Sequence, residues 1–197
     1  MRTRGLVVGV IAAAFAVALM GCSSIRGGGD PPSVVQEVEI ERYLGTWYEV
    51  ASFPIRAQRG CVGTTATYRL RDDGDISVYN RCLEDRFDGE VKDIEGRAWV
   101  DDEETNAKLR VRFFWPLRSP YWIVGLDEDY QWALVSGPRR SNLWILSRDP
   151  CMDQGLFEEL YRSLLDRGFE MEKLEGTPQM GEDGEVCEVD LGPVRGR

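Results

Sequence analysis

The side chains able to do chemistry in this chain are few. There are five cysteines, Cys22, Cys61, Cys82, Cys151 and Cys187, and no histidine among 197 residues. No Cys-x-x-Cys occurs, so a zinc site has neither its thiolate spacing nor an imidazole, and no metal or other cofactor is expected. Nucleophilic catalysis lacks its usual base for the same reason. Glu49 and Tyr68 could still move a proton, but no partner set gives that a defined reaction. A free thiol in a cavity would revive an enzymatic reading.

The thiols take their meaning from the start of the chain. Arg2 and Arg4 precede an apolar run from Gly5 to Met20, followed by Gly21 and Cys22. That is the layout of a signal peptide spanning residues 1–21. At about 1.5 Å per residue the run falls short of a bilayer core of about 30 Å. Leu19-Met20-Gly21-Cys22 resembles the bacterial lipobox, which implies that Cys22 is the lipid anchor, carrying diacylglycerol and, after cleavage, an N-acyl chain such as palmitate. Ser23, where an Asp would retain the protein elsewhere, resembles the outer-membrane-sorted class, on its periplasmic side. Two or three acyl chains at about 0.8 kcal/mol per buried methylene hold a protein stably on a bilayer.

Export leaves four cysteines in an oxidising compartment, an even number with three possible pairings. The turn signal Asp72-Asp73-Gly74-Asp75 folds two β-like runs so that Cys61 and Cys82 come nearly opposite each other. This favours Cys61 with Cys82 and leaves Cys151 with Cys187. Removing residues 1–21 shifts the net charge from −10 to −12. Such acidity argues against nucleic acid and against electrostatic adhesion to anionic lipid, so membrane contact is expected through the acyl chains.

The elements that must position these groups follow from punctuation and periodicity. Residues 22–37, with Gly27-Gly28-Gly29 and Pro31-Pro32, read as a lipidated N-terminus and tether. Strands are expected at 44–53, 62–70, 76–82, 94–100, 107–115, 121–126, 132–136 and 142–147, a meander that closes into an all-β, eight-stranded up-and-down antiparallel barrel. Lys108, Arg110 and Arg112 alternate with Leu109, Val111 and Phe113, one face in water and one inside. Tyr121–Val124 and Leu143–Leu146 are apolar at both parities and need cover on the outside. Asp153–Arg167 carries Leu156, Phe157, Leu160, Tyr161, Leu164 and Leu165 at helical spacing with Gly168 as its stop, a C-terminal α-helix packed on the barrel. A short strand is expected near Met171–Leu174, and residues 179–197 read as an acidic, irregular tail pinned by Cys187.

Gly45-Thr46-Trp47-Tyr48 suggests a first strand with a large anchor residue, and it has company. It resembles the first signature of the lipocalin family. Glu128-Asp129-Tyr130 resembles the second, with Glu where Thr is usual, and Arg148 resembles the third. The wider runs around Trp47 and after Tyr130 are similar to the bacterial lipocalin and apolipoprotein D branch, and the resemblance covers residues 36–178, within a domain set at 38–178. It implies that Gly45, Trp47 and Arg148 close one end of the barrel, with the Arg148 cation over the Trp47 ring. It also implies a transport or storage protein for a small hydrophobic ligand, fatty acid or lysophospholipid, in the bacterial envelope, and not an enzyme.

An eight-stranded barrel has room for about one small ligand. Parity taken from the Lys108–Phe113 strand gives Phe53, Tyr68, Val78, Ala98, Leu109, Val111 and Phe113 as its wall, some of them filling the closed end. The competing readings are an enzyme of the same fold acting on a lipophilic substrate, and a structural lipoprotein whose barrel is filled by side chains.

Overall fold

The computed structural model describes residues 30–195; Cys22 and the leader lie outside them. Eight antiparallel strands succeed one another as a meander: β1 (Gly45–Ser52), β2 (Cys61–Leu70), β3 (Ile76–Glu84), β4 (Val91–Val100), β5 (Lys108–Arg112), β6 (Ser119–Leu126), β7 (Trp132–Ser136) and β8 (Leu143–Ser147). β1 pairs with both β2 and β8, which closes the sheet into a barrel. One turn of helix, α1 (Ile40–Tyr43), stops one end. The loops 53–60, 85–90, 113–118 and 137–142 ring the other.

Closure creates two apolar cores. The inner one joins Trp47, Tyr68, Val78, Leu109, Val111, Ile123, Val135 and Leu146. The outer one joins Val124, Leu134, Leu143 and Ile145 to Phe157, Leu160, Tyr161 and Leu164 of α2 (Gln154–Asp166). β6, β7 and β8 thus contribute one parity to each core, which is why those strands are apolar throughout. β5 has no such cover, and its Arg110 is exposed while Leu109 and Val111 are buried. The Asp153 side chain caps α2, accepting from the Leu156 N–H at 2.9 Å, and Gly168 ends it at φ +77°.

Departures from strict periodicity relocate several residues. The register of β1 against β8 shifts between Glu49 and Ala51, so Val50 and Ala51 both face outward. This bulge reverses the parity of the residues after it. Phe53, expected on the inner wall, therefore packs in the outer core. Met171–Lys173 is a 3-10 turn and not the expected strand; the pairing comes afterwards, at β9 (Glu175–Gly176). Residues 30–37 are docked instead of forming free tether: the Arg140 guanidinium donates to the Asp30 carbonyl, Val35 N–H to the Ile123 carbonyl, and Val34 touches both cores.

The chain beyond 178 is also structured, through β10 (Gln179–Met180), β11 (Val186–Cys187), a buried Val189 and a turn of helix, α3 (Gly192–Arg195). Its anchors are polar and spaced too far apart to show in composition. β1 and β2 part after Tyr48, and residues 175–179 fill the gap. Thr177 N–H donates to the Val50 carbonyl, Gly63 N–H to the Pro178 carbonyl, and the Gln179 amide to the carbonyls of Glu49 and Thr64 at 2.7 and 3.0 Å. The Cys151–Cys187 bridge ties this seam to the start of α2, and Cys61–Cys82 joins β2 to β3.

Candidate functional site

The closed end is built around an indole. Trp47 is fully buried and its Nε1–H donates to the Tyr43 carbonyl at 2.8 Å. The Arg148 guanidinium lies 3.8 Å from the centre of the ring, a cation over a π face. The same group donates to the carbonyls of Leu44 and Thr46 at 2.8 Å, of Arg42 at 3.0 Å and of Tyr43 at 3.2 Å. These acceptors lie where α1 ends and β1 begins and lack helix or ladder partners there; only that of Tyr43 is shared with a second donor, the Trp47 indole. Gly45 makes room for them: its φ is +95°, and a Cβ there would stand 3.2 Å from Arg148 Nη1. In the second signature, Glu128 costs the loop nothing, because its contact is made by backbone. Arg42 donates to the Glu128 carbonyl, Asp127 accepts from the N–H groups of Asp129 and Gln131, and the Tyr130 hydroxyl accepts from Glu39 N–H.

Above this plug three tyrosines meet. The Tyr121 hydroxyl lies 2.7 Å from that of Tyr43 and 2.9 Å from that of Tyr68. Withdrawal from water pushes Tyr68 up to about 12 and the other two well above the ordinary phenol value, so all three stay neutral. Tyr121→Phe strands the hydroxyls of Tyr43 and Tyr68 together. Each unsatisfied buried group costs about 1–3 kcal/mol, so urea denaturation should show a loss of about 2–6 kcal/mol for the two; an unchanged midpoint would mean that both hydroxyls find other partners.

From this floor a cavity of about 620 Å³ runs to the open end. Tyr68, Val78, Val111 and Phe113 line it, as do Val135, Leu146 and Trp144. Ala98 and Leu109 lie lower, around a narrow void beside Tyr43 and Ile40. Phe53 does not reach either. Parity on the doubly apolar strands could not separate Val135 and Leu146 from their outward neighbours, which is why the sequence did not single them out.

A polar band crosses the upper wall. Glu49, Thr64 and Asn80 stand on adjacent strands, and Thr64 Oγ1 and Asn80 Oδ1 are buried without a hydrogen-bond partner. Glu49 is 5 % exposed, and its carboxylate accepts from Ser52, Thr177 and Gln58 at 2.9, 2.9 and 2.6 Å. Burial raises its pKa despite these donors. The folded protein therefore holds the Glu49 proton more tightly than the unfolded chain does. Its contribution to stability is fully present below the unfolded value of about 4.3 and is lost as pH rises through the raised folded value. Glu49→Gln should be flatter across that window, so the stability of the variant relative to wild type rises from pH 4 to pH 7 in paired urea titrations. A constant difference would show that Glu49 does not titrate abnormally.

A family model described as a lipocalin-like domain matches residues 38–179. The chain is 41% identical over 179 residues to the outer membrane lipoprotein Blc of Citrobacter freundii, covering 89% of this chain and 97% of that one. It is 42% identical over 155 residues to temperature-induced lipocalin-1 of Arabidopsis thaliana (74% and 82% covered) and 34% identical over 158 residues to bovine apolipoprotein D (76% and 81%). Among solved structures, insecticyanin of the tobacco hornworm superposes with a TM-score of 0.60 at 18% identity, over 82% of this chain and 88% of that one, a likeness of fold.

Proposed function

The chain belongs to the lipocalin family, and from that premise we propose that it binds a single-chain amphipathic lipid, a fatty acid or a lysophospholipid, while held by acyl groups on Cys22 at the periplasmic face of a bacterial outer membrane. The observation that carries this reading is the cavity: about 620 Å³, within the range of small-ligand sites, open at one end only. Its lower wall of Val78, Val111, Val135 and Leu146 suits an alkyl chain. The unpartnered oxygens of Thr64 and Asn80 suit a polar group above it, while Lys92 on the rim is paired with Glu84 at 2.6 Å.

The relatives named as outer membrane lipoproteins support the anchored location. No helix among the described residues is long and apolar enough to cross a membrane. Catalysis within the cavity gains no support. Glu49 is committed to three donors, Tyr68 to its tyrosine partner, and Cys61, Cys82, Cys151 and Cys187 to bridges. A barrel filled by its own side chains is likewise not supported, since the cavity is open space.

Displacement of a fluorescent fatty acid by oleate and by lysophosphatidylethanolamine tests the reading. Saturable displacement by either one at low micromolar concentration is expected. No probe binding by the purified protein, together with no lipid extracted from it, would sink the proposal.

A further inference from the structure

The negative charge of the chain is not spread evenly over the barrel. The three loops at the closed end, residues 71–75, 101–107 and 127–131, hold ten carboxylates and one arginine, a net −9. The four loops around the mouth hold Arg56, Arg59, Arg86, Arg118, Arg139 and Arg140 against Asp85, Asp88 and Glu90, a net +3. Glu170, Glu172 and Glu175 lie beside the mouth, where Phe169 meets Arg140 and Glu175 pairs with Ser52, and offset part of this charge. The strand-connecting loops themselves are nonetheless polar along the axis, with the basic ones at the opening.

Apolar exposure is polar in the same sense. Among the described residues nine large hydrophobic side chains are exposed, and five of them, Ile55, Val91, Phe114, Trp115 and Leu117, ring the mouth. The loop between β5 and β6 contributes the most, with Phe114 65%, Trp115 83% and Leu117 69% exposed. Phe114 and Leu117 also line the cavity entrance. Nothing in the inner or outer core explains this exposure: Trp115 belongs to neither.

A third observation sets the direction of the anchor. Asp30 is held at the mouth, where Arg140 of the loop between β7 and β8 donates to its carbonyl at 2.6 Å. From there residues 33–38 run along the outside of β6 toward the closed end. Seven residues lie between Cys22 and Asp30, so at most about 29 Å of chain joins them. The acyl chains are therefore tied to the basic, apolar pole.

We propose that the mouth of the barrel docks face-down on the anionic bilayer that anchors it, with Phe114, Trp115 and Leu117 entering the headgroup and upper acyl region and Arg56, Arg59 and Arg139 facing lipid phosphate. Indole and phenyl groups favour that depth, and basic residues beside them are drawn to anionic headgroups. The acidic pole is held away from the membrane by the same field. The cavity then opens onto lipid, and an acyl chain passes between bilayer and barrel without crossing water. The inference rests on acylation of Cys22, which mass spectrometry of the purified lipoprotein establishes beforehand.

The test uses the acylated protein in vesicles of phosphatidylethanolamine and phosphatidylglycerol whose acyl chains carry bromine, a contact quencher of indole emission. The expected result is quenching that mostly disappears in Trp115→Phe, which keeps the loop apolar but deletes the reporter. A triple variant, Arg56→Glu, Arg59→Glu, Arg139→Glu, should lose most of the quenching too, as should wild type at high salt. None of these arginines lines the cavity, so displacement of a fluorescent fatty acid in detergent stays within twofold of wild type. That measurement separates failure of docking from failure of ligand binding. Quenching equal in wild type and Trp115→Phe would overturn the proposal. So would an unquenched protein that sediments as a dimer through Trp115, which would assign the face to a second copy.

Discussion

Trp47→Ala is expected to lower the unfolding free energy by about 3–5 kcal/mol, the cost of emptying a fully buried aromatic site. In a chain of this size that corresponds to a fall in Tm on the order of 10 °C. The loss exceeds simple burial because the ring holds Arg148 in place, 3.8 Å from its centre, and Arg148 satisfies four carbonyls between Arg42 and Thr46. Arg148→Ala should therefore be destabilising as well. The double variant should fall short of the sum by about 0.5–3 kcal/mol, the coupling expected of groups in contact. Lipid affinity of Trp47→Ala, measured at a temperature where the variant is folded, should stay close to that of wild type, since the indole lies beneath the tyrosine floor. Intact stability with abolished binding would place Trp47 in the ligand site.

Asn80→Phe should do the reverse. The Asn80 side chain lines the cavity and its Oδ1 has no hydrogen-bond partner, so removing it sacrifices no bond. A phenyl group at this position on β3 projects into open space and occupies it. Unfolding free energy should stay within about 1 kcal/mol of wild type, because overpacking penalties apply to filled cores. Affinity for the fluorescent fatty acid should drop at least about tenfold, or 1.4 kcal/mol. Unchanged affinity would move the ligand out of the cavity. The pair of variants thus separates the plug of the barrel from its chamber.

The contrast bears on what a sequence discloses. The barrel was legible because most of its strands obey one simple rule: Leu109, Val111 and Phe113 on one face, charge on the other. The closed end was legible because its three residues must be what they are. Only glycine tolerates φ +95° beside a guanidinium, and only arginine reaches four carbonyls and a ring at once. The position of Phe53 was not legible, because the bulge at Val50-Ala51 uses two ordinary apolar residues and leaves no turn signal. The polar band escaped for a related reason. Glu49 shares the parity of Trp47 and stands out in the sequence only as a group able to move a proton; a wall chosen by apolarity leaves it out. In the tail, single side chains such as Gln179 and Val189 do the anchoring, and acidic, glycine-rich surroundings conceal them. The charge asymmetry was present in the composition all along, but only the order of the strands assigns each loop to an end.

The seam filled by residues 175–179 has a consequence for how the protein comes into being. β2 to β7 pair with immediate neighbours and can zip as each emerges from the ribosome or the export channel. β1 cannot finish in that way. Half of it waits for β8, nearly a hundred residues later, and its last backbone groups wait for Thr177 and Gln179. Contacts that distant in sequence form late because the intervening loop must first be closed. The ring is therefore sealed only after residues 175–179 have been delivered, and a copy that still lacks them remains an open sheet, unable to enclose a hydrophobic ligand.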